Sequence, residues 1–304
     1  MRIAVTGAEG FIGSWLVKEL RSRGHDVRPW AAPELRHHRP WVTAGGRPLD
    51  VLVHCAAVVG RVAGDTDPCE TASINAGLTA LLARECAERG VRFVYVSSSE
   101  VYGPAVMWAT ETSPCYFCGD GQVGYFADHL PHNLYGLSKR WGEEAARLYA
   151  PDGLQILRLS MPYGPGHHPG SGRAAMTNFL WNAITGKQIT VHRGAARSWC
   201  WIGDTVRAIA LVLEDGGQGA WNIGRDDNET PMLNVARRAL VLTCGYVIDR
   251  RIRLVDPPEG FTVAKRLSTA RLQALGWRPE VELEEGMNLT LEWLRAARLS
   301  LLAR

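Results

Sequence analysis

MRIAVTGAEGFIGSWLVKEL, residues 1–20, is the stretch whose reading decides the fold. Ile3, Ala4 and Val5 form a short apolar run. The loop Thr6-Gly7-Ala8-Glu9-Gly10-Phe11-Ile12-Gly13 follows, and Trp15, Leu16, Val17 and Leu20 then recur at helical spacing beside Lys18 and Glu19. Strand, glycine turn and helix in that order open a dinucleotide-binding unit. The three glycines answer three needs: Gly7 turns the chain sharply, Gly10 lets backbone N–H groups approach a pyrophosphate, and Gly13 lets helix and strand pack closely. The phosphates are then expected at the positive end of the helix that begins near Gly10, against Gly7, Gly10, Phe11, Ile12 and Gly13. A glycine turn alone is a weak signal, but here both flanking elements are present.

Composition narrows the class. A chain of 304 residues, 46% hydrophobic and 21% charged, suits one two-lobed enzyme or two modest domains with a large core. No segment approaches the roughly 18 consecutive apolar residues of a membrane span. The chain enters a strand at once, without a basic and apolar leader, so a cytoplasmic protein is expected. Seven scattered cysteines, an odd number, read as free thiols. Cys115 and Cys118 form a C-x-x-C with no second pair. His129 and His132 are the nearest donors that could complete a zinc set, but two unrelated thiols is the simpler reading, and no metal is expected. A net charge of +3 without a basic run does not imply nucleic acid; the arginines read as surface plus a few anion ligands.

Further along, Gly24–Trp30 reads as a turn and second strand. A carboxylate at that strand's end normally holds the adenosine ribose, and Ala31-Ala32 stand there instead. Arg28 and Arg36 are the candidates for a 2′-phosphate, so NAD is expected and NADP stays open. Asp50 to Ala57 is a buried strand ending in small residues, which leave room for a ligand. Asn75 to Arg89 reads as a helix. Val91 to Val96 is a strand running into Ser97-Ser98-Ser99-Glu100-Val101-Tyr102-Gly103. The long connection Pro104 to Asn133 reads as a lid or substrate wall. Leu134 to Ala146 is a helix that places Tyr135 and Lys139, i and i+4, on one face.

Together these stretches resemble the extended short-chain dehydrogenases/reductases, the NAD-dependent epimerase/dehydratase family that acts on nucleotide sugars. The likeness runs over nearly the whole chain, through TGAEGFIG, HCAA, Asn75, SSSEVYG, YGLSK, LRLSMPYGPG (157–166), RSWCWIGD (197–204), WNIG (221–224) and LGWRP (275–279). It implies an α/β fold, a Rossmann-type doubly wound parallel sheet with a smaller C-terminal substrate-binding lobe. Residues 1–165, with a returning segment at about 198–225, are the expected cofactor domain; 166–197 and 226–304 are the expected substrate lobe. The resemblance implies Ser98, Tyr135 and Lys139 as the catalytic triad and Asn75 as the brace of the active-site helix. It adds Ala56, Ala57, Asn75, Ser97, Tyr135 and Lys139 to the cofactor contacts. Ser98, Ser99, Arg197 and Trp199 face the substrate, with Arg197 on the nucleotide diphosphate. A nucleotide-sugar substrate and a homodimer are implied with them.

A free tyrosine, with a pKa near ~10, is a poor base at neutral pH. The Lys139 ammonium and a nicotinamide cation are expected to lower it, so that Tyr135 removes a hydroxyl proton while hydride leaves the same carbon. Ser98 holds that hydroxyl in line. A 4-keto sugar results. Turning it over and returning the hydride gives a 4-epimer, removing the C5 proton and losing water gives a dehydratase, and losing a C6 carboxylate gives a decarboxylase. Glu100, two residues after Ser98, is the carboxylate placed for such extra work, unless it only bonds neighbouring backbone. Ser-Ser-Glu resembles the Thr-Ser-Glu of some dehydratases and of uronic-acid decarboxylases, and lacks the Asp-Glu pair of the dTDP-glucose dehydratases. With no partner acid visible, the sequence favours 4-epimerisation. A lyase using Glu100, an NADPH-dependent ketone reductase and a non-catalytic dinucleotide sensor are the alternatives, and the intact triad argues against the sensor.

Overall fold

Six short strands, the central ones buried on both faces, assemble into one parallel sheet, as strands covered by helices on either side require. In the computed structural model, which describes residues 1–31, 41–43, 45–103, 108–113, 133–170, 175–215, 217–258 and 261–302, their order across the sheet is Gly219–Ile223, Gln155–Leu159, Arg92–Ser98, Val51–His54, Arg2–Thr6, Asp26–Trp30. Every neighbouring pair is parallel. Alternation along the strands divides the core. Ile3, Val5 and Val53 face Leu16, Leu20 and Ile209 of the helices Phe11–Ser22 and Ile202–Asp215. Ala4, Leu52 and Phe93 face Leu82 and Ala146 of the helices Thr79–Glu88 and Leu134–Tyr149. The expected doubly wound Rossmann-type sheet is therefore present.

The chain starts one strand in from the edge at Arg2–Thr6, steps outward to Asp26–Trp30, then crosses back to Val51–His54 on the other side. That reversal opens a crevice at the carboxyl ends of Arg2–Thr6 and Val51–His54, where ligands bind in such sheets.

The helical stretch expected from Asn75 begins earlier. Arg61–Thr66 and Pro68–Ala72 are already helical, the second capped by Asp67 accepting from the Glu70 amide at 2.9 Å. A π-turn over Ser73–Leu78 joins them to Thr79–Glu88. The polar run Gly64-Asp65-Thr66-Asp67 hides the first helix from periodicity; packing forms it, with Gly64 seated against the Tyr135 backbone.

The smaller lobe is built from distant pieces. One sheet runs Glu229–Pro231, Ala196–Ser198, Ala264–Leu267, Trp108–Ala109, and a second pairs Ile189–His192 with Ile252–Val255. The helices Ala175–Ile184, Met232–Cys244 and Leu283–Leu302 pack around them, the last longer than the expected 284–297. Cys115, Cys118, His129 and His132, with most of the expected lid, lie outside the described residues, as do Ala32 and Arg36. Among the described residues no helix is long and apolar enough to cross a membrane.

Candidate active site

The crevice is lined first by the glycine loop. Gly7 sits at φ +64°, and a Cβ there would come within 2.8 Å of the Ala56 backbone nitrogen. A Cβ on Gly13 would overlap the Gly7 carbonyl, so loop, helix and the neighbouring strand end share one tight junction. The helix Phe11–Ser22 starts at Gly10 with no side chain capping it. Its first N–H groups are thus available to an anion, at the positive end of the helix. Trp15 Nε1 donates to the Pro165 carbonyl at 2.9 Å and His167 stacks on Phe11 at 4.4 Å, so the segment 165–167 packs beside the loop. These residues fit a dinucleotide pyrophosphate.

The helix Leu134–Tyr149 carries Tyr135 and Lys139, its start capped by Asn133, which accepts from the Gly136 amide at 2.9 Å. Lys139 is buried. Its Nζ donates to the Val96 carbonyl at 2.8 Å and lies 4.8 Å above the Tyr95 ring. Burial lowers its pKa to about 8, with Cys55 and Glu143 opposing. Burial pushes the Tyr135 pKa up to about 12, a hydrogen bond with Ser98 works the other way, and Glu100 adds to the rise; the expected drop needs the nicotinamide cation as well as Lys139. The physical reason is desolvation, which disfavours the charged phenolate. Tyr135 therefore keeps its proton at neutral pH in this state.

Asn75 braces the helix, as expected. Its Nδ2 donates to the Val58 carbonyl at 2.9 Å and to Ser138 Oγ at 3.0 Å, while its Oδ1 accepts from the Val58 amide at 2.9 Å. The side-chain amide of Asn75 thus links the loop at Val58 to the helix at Ser138. The Ser97 hydroxyl donates to Glu143 Oε1 at 2.7 Å, which leaves its backbone as the part that can meet the cofactor.

Glu143 belongs to a buried floor that the sequence reading missed. Arg158 Nη2 reaches Glu143 Oε2 at 2.7 Å and Arg158 Nε reaches Oε1 at 2.9 Å, with Arg140 and Arg147 adding ion pairs at 3.1 and 3.2 Å. Burial alone would raise the Glu143 pKa, but Arg158 and Arg147 outweigh it and hold the carboxyl below its usual range. Arg158 also donates to Tyr102 Oη at 2.9 Å, and Tyr102 donates to Asn222 Oδ1 at 2.7 Å. Two signals were available: an arginine inside the apolar strand Gln155–Leu159, and a glutamate one turn beyond Lys139 on the same face.

At the mouth, Arg197 is half-buried with its guanidinium donating to the carbonyls of Ala196 and Val263, each at 2.7 Å, and of Thr262. Burial lowers its pKa while Glu100 and Glu229 oppose that. No carboxylate ion-pairs with it among the described residues, which suits an anion ligand. The Glu100 charge is felt at both Tyr135 and Arg197, and Asn133 Nδ2 approaches Glu100 Oε2 at 3.4 Å, tying it to the catalytic helix. Ser99 is buried in the turn between them.

Trp199 is corrected. It is only 1% exposed and packs edge-on against Tyr163 at 6.0 Å. Asn228 pins its backbone from both sides, accepting from the Trp199 amide at 3.1 Å and donating to its carbonyl at 2.8 Å, which holds the indole in the core.

The profile of the NAD-dependent epimerase/dehydratase family matches residues 3–224. The UDP-glucuronic acid decarboxylase 6 of Arabidopsis thaliana is 28% identical, over 97% of this chain and 89% of its own. Among solved structures, the dTDP-glucose 4,6-dehydratase of Streptomyces venezuelae with NAD bound superposes with a TM-score of 0.82 at 26% identity, covering 99% of this chain and 98% of that one. The UDP-glucose 4-epimerase of Thermotoga maritima, with UDP-glucose, gives 0.80 at 25% identity, covering 98% and 100%.

Proposed function

The chain belongs to the NAD-dependent epimerase/dehydratase family, and from that premise we propose that it is a nucleotide-sugar lyase: it removes the C6 carboxylate of a nucleotide-bound hexuronic acid by way of a 4-keto sugar. The observation that carries this reading is the position of Glu100, tied by Asn133 to the catalytic helix and within electrostatic reach of both Tyr135 and Arg197. A 4-epimerase has no use for a carboxylate there. A dehydratase needs an acid beside the base, and Ser99 stands in the neighbouring position.

In this reading residues 1–165 with about 198–225 hold the cofactor, and 166–197 with 226–304 hold the nucleotide sugar. Gly7, Gly10, Phe11, Ile12 and Gly13 seat the pyrophosphate, and Ala56 and Ala57 leave room beside it. Bound NAD supplies the hydride acceptor and donor, and a cationic ring that favours the Tyr135 phenolate. Arg197 grips the diphosphate. Ser98 aligns the C4 hydroxyl, and Tyr135 takes its proton. The C4 ketone makes the C6 carboxylate a β-keto acid. The C5–C6 bond then breaks, its electron pair passes into the enolate, and carbon dioxide leaves. C5 takes a proton that Glu100 relays from solvent, and Tyr135 returns its own proton to O4 as the ketone is reduced.

Trp141, Leu148 and Tyr149, exposed on the catalytic helix, support a homodimer built on that face, testable by light scattering. The described cysteines are all free, in keeping with a reducing, cytoplasmic setting.

Incubation with UDP-glucuronic acid tests the reading. It predicts carbon dioxide and a UDP-pentose. Formation of the 4-epimer without carbon dioxide would overturn it and leave the epimerase, a reading that the likeness to the Thermotoga enzyme favours.

A further inference from the structure

Lys265 lies in the strand Ala264–Leu267 of the small sheet and is only 3% exposed. Its Nζ donates to the Ser99 carbonyl at 3.1 Å, across 166 residues of sequence. The other end of the same peptide unit, the Glu100 N–H, donates to Ser98 Oγ at 3.2 Å. One peptide plane is thus gripped twice, by a cation at its oxygen and by the catalytic hydroxyl at its hydrogen. A cation on the carbonyl polarises the peptide and strengthens its N–H as a donor. Ser98 Oγ, accepting that bond, keeps its own proton free to donate to Tyr135, whose phenolate such a bond favours. Any rotation of this plane moves the Ser98 contact and the Glu100 side chain together.

The strand carrying Lys265 pairs in parallel with the strand carrying Arg197, and the two residues stand opposite each other in the register. The group that suits the diphosphate and the group that grips the catalytic turn are therefore neighbours on one sheet. We propose that Lys265 is a positioning residue that fixes the Ser99–Glu100 peptide and so ties the substrate lobe to Ser98 and Glu100. The inference rests on the functional reading above only for what Glu100 does once positioned.

Lys265→Met keeps the apolar stem and removes the cation; Lys265→Arg keeps the charge. Both are assayed with the wild type on UDP-glucuronic acid and on UDP-glucose, with amide hydrogen exchange of the segment 97–103 measured in parallel without substrate. Wild-type product identity decides the lyase reading by itself, and the variant-to-wild-type ratios decide Lys265. The expected result is a kcat lower by about 10- to 100-fold for Lys265→Met, with KM within about threefold. Lys265→Arg should recover part of the loss, NAD affinity should stay unchanged, and exchange at 97–103 should quicken about tenfold in Lys265→Met. A rise in KM with kcat kept would make Lys265 a substrate ligand and overturn the proposal. Unchanged exchange in Lys265→Met would overturn it equally, whatever the kinetics.

Discussion

Two glutamate–arginine constellations meet the turn Ser99–Tyr102, and the protein treats them differently. In the floor, Glu143 is fully buried and holds Arg158, Arg140 and Arg147 at 2.7 to 3.2 Å, with Ser97 completing its shell. At the mouth, Glu100 and Arg197 are half-buried and have no ion pair among the described residues. Arg197 is steadied by backbone carbonyls, and Glu100 by one long contact from Asn133. Charges that satisfy one another form a floor that fixes Ser97, Tyr102 and the catalytic helix. Charges steadied by neutral groups keep their attraction for something else. Residue type is the same in both; what differs is whether the protein completes the neutralisation or leaves it to a ligand.

The largest effect lies on the line between the two regions. Tyr135→Phe should fold, bind NAD, and lose hydride transfer by about 10²–10⁴-fold, because the proton acceptor is gone while the packing stays. Turnover near wild type, followed as product formation, would remove Tyr135 from the mechanism.

Breaking the floor should act on stability instead. Glu143→Gln leaves Arg158 buried without its carboxylate, and loss of one partner of a buried pair costs about 3–5 kcal/mol. Chemical denaturation should show that loss. A change below about 1 kcal/mol would mean that water or rearrangement serves Arg158 equally well, and the contrast with the mouth would fail.

At the mouth the same kind of truncation should spare stability and strike binding. Arg197→Ala should raise KM for the nucleotide sugar roughly 10- to 100-fold, matching a charge-assisted contact of about 1.5–3 kcal/mol, and leave NAD affinity alone. A weaker NAD complex would show that the guanidinium serves the cofactor.

The two regions were also unequally legible. Gly7, Gly10 and Gly13 fall within seven residues, and Tyr135 and Lys139 within five, so local spacing exposes the cofactor side and the catalytic helix. Arg158 reaches Glu143 across 15 residues and Tyr102 across 56, and Lys265 reaches Ser99 across 166. No local pattern encodes such contacts; only the sheet order brings them together. Trp199 misleads for a related reason: beside Arg197 in sequence it looks like a pocket residue, yet Asn228, 29 positions on, holds its backbone so that the ring faces the core. The Tyr135 pKa could not be read either, since it turns on burial, which local spacing does not show.

The central claim is that Glu100 performs chemistry beyond hydride transfer. The direct test runs UDP-glucuronic acid in deuterium oxide with wild type and Glu100→Gln, following carbon dioxide and deuterium at C5 of the nucleotide product. The account predicts one deuterium at C5 for each carbon dioxide released by the wild type, and a rate about 10²–10⁴-fold lower in Glu100→Gln. Product without C5 deuterium, formed equally fast by both proteins, would contradict it.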